Sequence, residues 1–142
     1  MRFLTLLLML ASFSHAESVK VSVLNGRNGH PLSGASVSVQ FFYDNPAKMT
    51  TPLSLETSSE GSVEFTLPSP LPDHVSVQVS LKYYACDCWV MADTKSILQQ
   101  GKLAIFRGQR LKSGITSQPG QITFLPLPFT LIQRLLYPLV RY

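Results

Sequence analysis

The chain has 142 residues, of which 45% are hydrophobic and only 14% charged. That length fits one domain with little to spare. So few charges argue against a disordered chain, and against a nucleic-acid module, which spends Lys and Arg on phosphates. The formal charge of +4 sums 12 bases and 8 acids over segments of different character.

Residues 1–16 read as a secretory signal peptide. Met1-Arg2 gives a positive start, residues 3–13 are an apolar run, and Ser14 and Ala16 are the small residues of a cleavage point after Ala16. The run is shorter than the ~20 residues of a spanning helix. No cysteine follows it, which closes the lipoprotein route. The expected product is exported: periplasmic, cell-envelope or extracellular.

Charge is unevenly distributed after the leader. Between residues 17 and 93, Lys20, Arg27, Lys48 and Lys82 stand against all eight acids. Residues 94–142 carry Lys95, Lys102, Arg107, Arg110, Lys112, Arg134 and Arg141 and no acid. Such asymmetry predicts either a basic surface for anionic partners or one half packed on the other.

In chain order, the pattern is one of strands and turns. Residues 18–24 alternate Val19, Val21 and Val23 with polar residues, which places three valines on one face of a strand. Asn25-Gly26 and Asn28-Gly29 mark a turn. Residues 35–41 alternate again. Residues 44–52 read as a polar loop bounded by prolines, residues 53–57 as a short strand, and residues 58–61 as a turn. Residues 62–67 alternate Val63, Phe65 and Leu67, before Pro68, Pro70 and Pro72 break the chain. Residues 75–83 carry the cleanest alternation, with Ser76, Gln78, Ser80 and Lys82 on the polar face. Strict alternation predicts sheets with one buried and one wet face.

Further on, residues 96–100 predict a helical turn before Gly101, and residues 102–106 a strand. Residues 108–117 read as a loop, Pro119-Gly120 as a turn, and residues 121–127 as a last strand. Residues 129–137 shift to spacings of three and four, which predicts a short amphipathic helix stopped by Pro138.

Three segments carry a family resemblance: Val21-Ser22-Val23, then Gly29-His30-Pro31-Leu32-Ser33-Gly34-Ala35-Ser36-Val37, then Thr57-Ser58-Ser59-Glu60-Gly61-Ser62-Val63-Glu64-Phe65. Over residues 18–84 the chain resembles the carboxypeptidase regulatory-like domain, a transthyretin-like member of the carbohydrate-binding-like β-sandwiches. The family's acidic or Asn residue after the Thr is Ser58 here. The tail is similar to small exported bacterial proteins that carry this domain. The resemblance implies a mostly non-catalytic scaffold with Pro31, Gly34, Ala35, Gly61 and Phe65 as structural positions. Some relatives with this sandwich bind carbohydrate, but a fold does not assign a function.

Candidate chemistry is sparse. Cys86-Asp87-Cys88 puts two thiols on one face of an extended strand. In an oxidising compartment they are a candidate redox pair, since a bridge across so small a ring is strained. A metal site would need two more ligands, and only His30 and His74 follow the leader. The other reading is two small buried hydrophobes at a strand end. Tyr83, Tyr84 and Trp89 are candidate ligand-stacking residues or core. No nucleophile elbow, zincin helix, phosphate loop or dinucleotide fingerprint is present. Phe129, Ile132, Arg134, Leu136 and Arg141 are candidate membrane contacts. The same helix could instead cap the sandwich.

The reading is an all-β protein: a Greek-key transthyretin/Ig-like β-sandwich with a short C-terminal amphipathic helix. Residues 1–16 are the signal peptide, 17–93 the sandwich core, and 94–142 a basic extension packing on or extending it. The expected role is a non-catalytic structural or interaction domain of the cell envelope. The alternatives are a carbohydrate- or peptide-binding module and a redox-active Cys-x-Cys protein. No enzyme activity, cofactor or metal is expected. The expected partners are an envelope protein or polysaccharide, and an anionic membrane surface at the C-terminal segment.

Overall fold

Alternating valines make the first strand what it is. Val19, Val21 and Val23 are fully buried on β1 (Ser18–Val23), while Ser18 and Lys20 face water. The computed structural model describes residues 17–85, 88–105, 114–136 and 138. The leader, Cys86, Asp87, Arg107, Arg110, Lys112 and Arg141 lie outside them.

The chain continues through β2 (Ser36–Asp44), β3 (Ala47–Met49), β4 (Leu53–Glu56), β5 (Ser62–Thr66) and β6 (His74–Ser80). Then come β7 (Tyr84–Ala85), β8 (Trp89–Asp93), α1 (Thr94–Gln100) and β9 (Lys102–Ile105). The described elements end with β10 (Gln121–Leu125), β11 (Leu127–Pro128) and α2 (Leu131–Leu136).

One sheet has the order β5-β1-β10-β9, and the other β3-β2-β6-β8 with β4 also beside β2. The second sheet is antiparallel throughout. In the first, β10 runs parallel to both β1 and β9. A parallel return needs a long connection, and residues 106–120 supply it. Central strands of this kind are covered on both faces, and Ile122, Thr123, Phe124 and Leu125 are all buried.

The core lies between the sheets. Val19, Val21, Phe65, Ile122 and Phe124 from one meet Val37, Val39, Phe41, Val75 and Val77 from the other. The Phe41 and Phe65 rings lie 5.9 Å apart. Each buried valine contributes roughly 1.5–3 kcal/mol. Helix α1 carries the chain from β8 to β9 and buries Ile97, whose carbonyl accepts the N–H groups of Gly101 and Gly120.

The resemblance positions build a corner. Gly34 and Gly61 both have left-handed φ, +72° and +71°. A Cβ on Gly61 would fall 2.7 Å from Leu32 N and 2.8 Å from Val23 O. Pro31 bridges to Leu24, and Ala35 is fully buried. The buried Thr57 hydroxyl accepts the Ala35 N–H at 2.9 Å and donates to Leu32 O at 2.9 Å.

The structure corrects several boundaries. Residues 44–52 are not all loop. β2 runs on to Asp44 and folds back through Asn45-Pro46 into β3. Pro46 breaks strands, but here it occupies the turn, where it costs no ladder bond. The strand expected over 75–83 ends at Ser80, because the chain turns at Lys82-Tyr83 and Tyr84-Ala85 pairs instead with Leu127-Pro128. Tyr83 takes φ +66° in that turn. β8 was not foreseen: Met, Ala and Asp are weak strand formers, yet Val90 and Ala92 face the core and pair along β6. The α1 helix begins at Thr94, two residues before the expected turn.

The sandwich also needs residues beyond Asp93. β9 and β10 make up half of the first sheet, and β10 lies at its centre.

Candidate functional site

The outer face of the second sheet is set by strand parity. With Val37, Val39, Phe41, Val75, Val77, Val79 and Val90 inward, the alternate residues point out. Register brings Phe42 beside His74 and His74 beside Asp93, then Ser76 beside Met91 and Gln78 beside Trp89. Trp89 is 57% exposed. Its indole nitrogen donates to Ser76 Oγ at 2.8 Å, which fixes the ring over β6. At the other end of the face, His74 Nε2 lies 3.1 Å from Asp44 Oδ2, and Asp73 Oδ2 accepts the Asp44 N–H at 2.7 Å.

Two of the three candidate stacking aromatics come together. Tyr84 and Trp89 line one open cavity of about 330 Å³, with Gln78, Ser80 and Cys88. Tyr83 does not join them. Its carbonyl accepts the Phe129 N–H at 2.8 Å. Its ring has Lys82 Nζ at 4.8 Å and the Arg134 guanidinium at 5.9 Å from the centroid. Tyr83 therefore belongs with the C-terminal segment.

Cys88 is half-buried and disulfide-bonded, so it is not a free thiol. The chain's other cysteine, Cys86, lies outside the described residues. Among the described residues no three His, Cys, Asp or Glu side chains gather as a metal site.

The helix α2 starts at a reciprocal cap. The Thr130 hydroxyl accepts the Gln133 N–H at 3.3 Å, and Gln133 Oε1 accepts the Thr130 N–H at 2.8 Å. This is a capping box, legible as T-x-x-Q in the sequence. Leu131, Ile132, Leu135 and Leu136 share one side of the helix, and none is buried: 74%, 69%, 69% and 48% exposed. Of the residues singled out beforehand, Ile132 and Leu136 are on this face, Phe129 is half-buried at its root, and Arg134 turns back to Tyr83. Leu131 and Leu135 are the stronger contributors, visible in the sequence at the same helical spacing. Among the described residues no helix is long and apolar enough to cross a membrane. The one acid–base side-chain contact among them is His74 Nε2 with Asp44 Oδ2, so neither Lys95, Lys102 nor Arg134 pairs with a described acid of the first half.

No protein-family model and no curated protein matches the sequence. Among solved structures the chain is similar to the group B streptococcus pilus 2b backbone protein, with a TM-score of 0.50 and 14% identity. The likeness covers 83% of this chain and 43% of that one, so the chain spans less than half of that protein's length. This chain is mostly β, two sheets packed face to face with a short C-terminal helix. At that identity the likeness speaks for the fold alone.

Proposed function

We propose that this chain is an exported, non-catalytic structural or interaction domain of the cell envelope, and that α2 is its contact element. The exposure of Leu131, Ile132, Leu135 and Leu136 carries this reading. The sandwich fills its core without them, so their apolar surface is left for something else. Export rests on the signal-peptide pattern of residues 1–16. The carboxypeptidase regulatory-like family is the finer assignment, supported by the corner that Pro31, Gly34, Ala35, Thr57 and Gly61 build.

The partner that best fits α2 is an anionic membrane surface. The helix is too short to span and presents one apolar side, while Lys82 and Arg134 gather around Tyr83 where the helix meets the domain. The segment after Asp93 has no acid to oppose such contact.

The test is retention in the native envelope. The intact protein should sediment with washed envelopes, and Leu131→Ser/Leu135→Ser should release it at an unchanged melting temperature. Equal retention of the variant contradicts contact through α2. Recovery of both proteins in the soluble fraction contradicts the envelope assignment.

A second reading is favoured by one observation, the convergence of Trp89 and Tyr84 with Gln78 and Ser80 on one open cavity. A tethered indole beside amide and hydroxyl groups suits the face of a sugar ring, with hydrogen bonds to its edge. This would make the second sheet a carbohydrate-binding surface.

A further inference from the structure

β8 is an open edge of the second sheet, paired with β6 alone. The Val79 N–H donates to Cys88 O at 2.7 Å, and the Thr94 N–H to Asp73 O at 3.0 Å. Antiparallel strands exchange such bonds at every second residue, so Cys88, Val90, Ala92 and Thr94 turn their backbone groups toward β6. Trp89 and Met91 turn their N–H and C=O groups to the open side, and Asp93 its N–H. Among the described residues no backbone group bonds to these. We propose that β8 pairs antiparallel with β8 of a second copy of this chain, about a two-fold axis at Met91, joining two sandwiches through one continuous sheet.

Register selects a second copy as the occupant. A two-fold contact needs a surface that complements itself, and an axis at Met91 is the one that pairs every residue of β8 with a residue of β8. Met91 then faces Met91 of the second copy and exchanges both backbone bonds with it. Trp89 faces Asp93, whose N–H donates to the Trp89 carbonyl. The one charged residue of the strand thus meets an indole, not a like charge, which would destabilise the pair. Val90 faces Ala92, so the half-buried Ala92 gains an apolar neighbour beside the core.

The strand carries no device against such pairing. Exposed edges are commonly blunted by Pro or Lys, and β8 has neither. It instead presents Trp89 and Met91, 57% and 45% exposed, along its outer side. The contact joins edges, leaves the outer faces of both sheets open and uses no residue of α2. It is therefore independent of the membrane reading.

The test is sedimentation equilibrium of the intact protein and of variants at the axis. The wild type should show a reversible monomer–dimer equilibrium. Met91→Lys sets two like charges opposite each other and should leave a monomer with the wild-type melting curve, since Met91 is outside the core. Leu131→Ser/Leu135→Ser should dimerise as the wild type does. Introduced thiols read the register. Hydrogen-bonded partners lie about 5.5 Å apart at Cα, within the range of a disulfide. Met91→Cys should therefore cross-link to itself under mild oxidation, with the bridge placed at position 91 by peptide mass spectrometry, and Asp93→Cys should not. A wild type still monomeric at about 1 mM overturns the proposal. So does a dimer that survives Met91→Lys, one lost in the α2 variant, or equal self-cross-linking at positions 91 and 93.

Discussion

The Trp89 indole nitrogen donates to Ser76 Oγ at 2.8 Å, so an aromatic ring 57% exposed on an edge strand is tethered to its neighbour. Surface tryptophans without a partner sample several rotamers. This one is organised before any ligand arrives, which lowers the entropic cost of binding. Trp89→Ala should therefore abolish glycan-array binding while costing only about 1 kcal/mol of stability, the worth of one hydrogen bond. Urea unfolding and the array together check it. Binding that persists in the variant removes Trp89 from the ligand surface.

Thr57 should be more costly to change than its size suggests. Thr57→Val keeps the shape but leaves the Ala35 N–H and Leu32 carbonyl without the hydroxyl that joins them. A buried group left unsatisfied costs about 1–3 kcal/mol. The midpoint of urea unfolding should fall accordingly with an unchanged slope. A midpoint equal to wild type would show that water replaces the hydroxyl.

Thr123 should behave in the opposite way. Its Oγ1 is buried on β10 and has no hydrogen-bond partner. Thr123→Val removes an unpaid desolvation cost and retains a β-branched residue suited to a strand. Stability should rise by about 1 kcal/mol, read as a higher urea midpoint. A fall would mean that the hydroxyl has a partner in solution.

Much of the sandwich was legible because one physical rule, period-two burial, governs β1, β2, β5 and β6. It failed where tertiary pairing overrode pattern. The alternation through Leu81, Lys82 and Tyr83 continues in the sequence, but the chain leaves the sheet at Ser80 to pair Tyr84-Ala85 with Leu127-Pro128. β3 was hidden because Pro46 reads as a breaker and sits in a turn. The insertion of β10 between β1 and β9 has no local signal at all, since its parallel partners are distant in sequence. For the site, Trp89 and the apolar side of α2 were readable as residue types. Their exposure was not, because the same leucine spacing serves a core helix equally well. Nor did spacing reveal that Tyr83 turns away from Tyr84 and Trp89, which follows from its left-handed turn.

Co-sedimentation of the intact protein with lipid vesicles tests membrane contact through α2 most directly. The protein should bind vesicles containing anionic lipid and bind little to zwitterionic ones. Binding should fall as salt screens Lys82 and Arg134, and should be lost in Leu131→Ser/Leu135→Ser. Absence of the wild-type protein from the anionic vesicle pellet, or equal binding by the double variant, would contradict it.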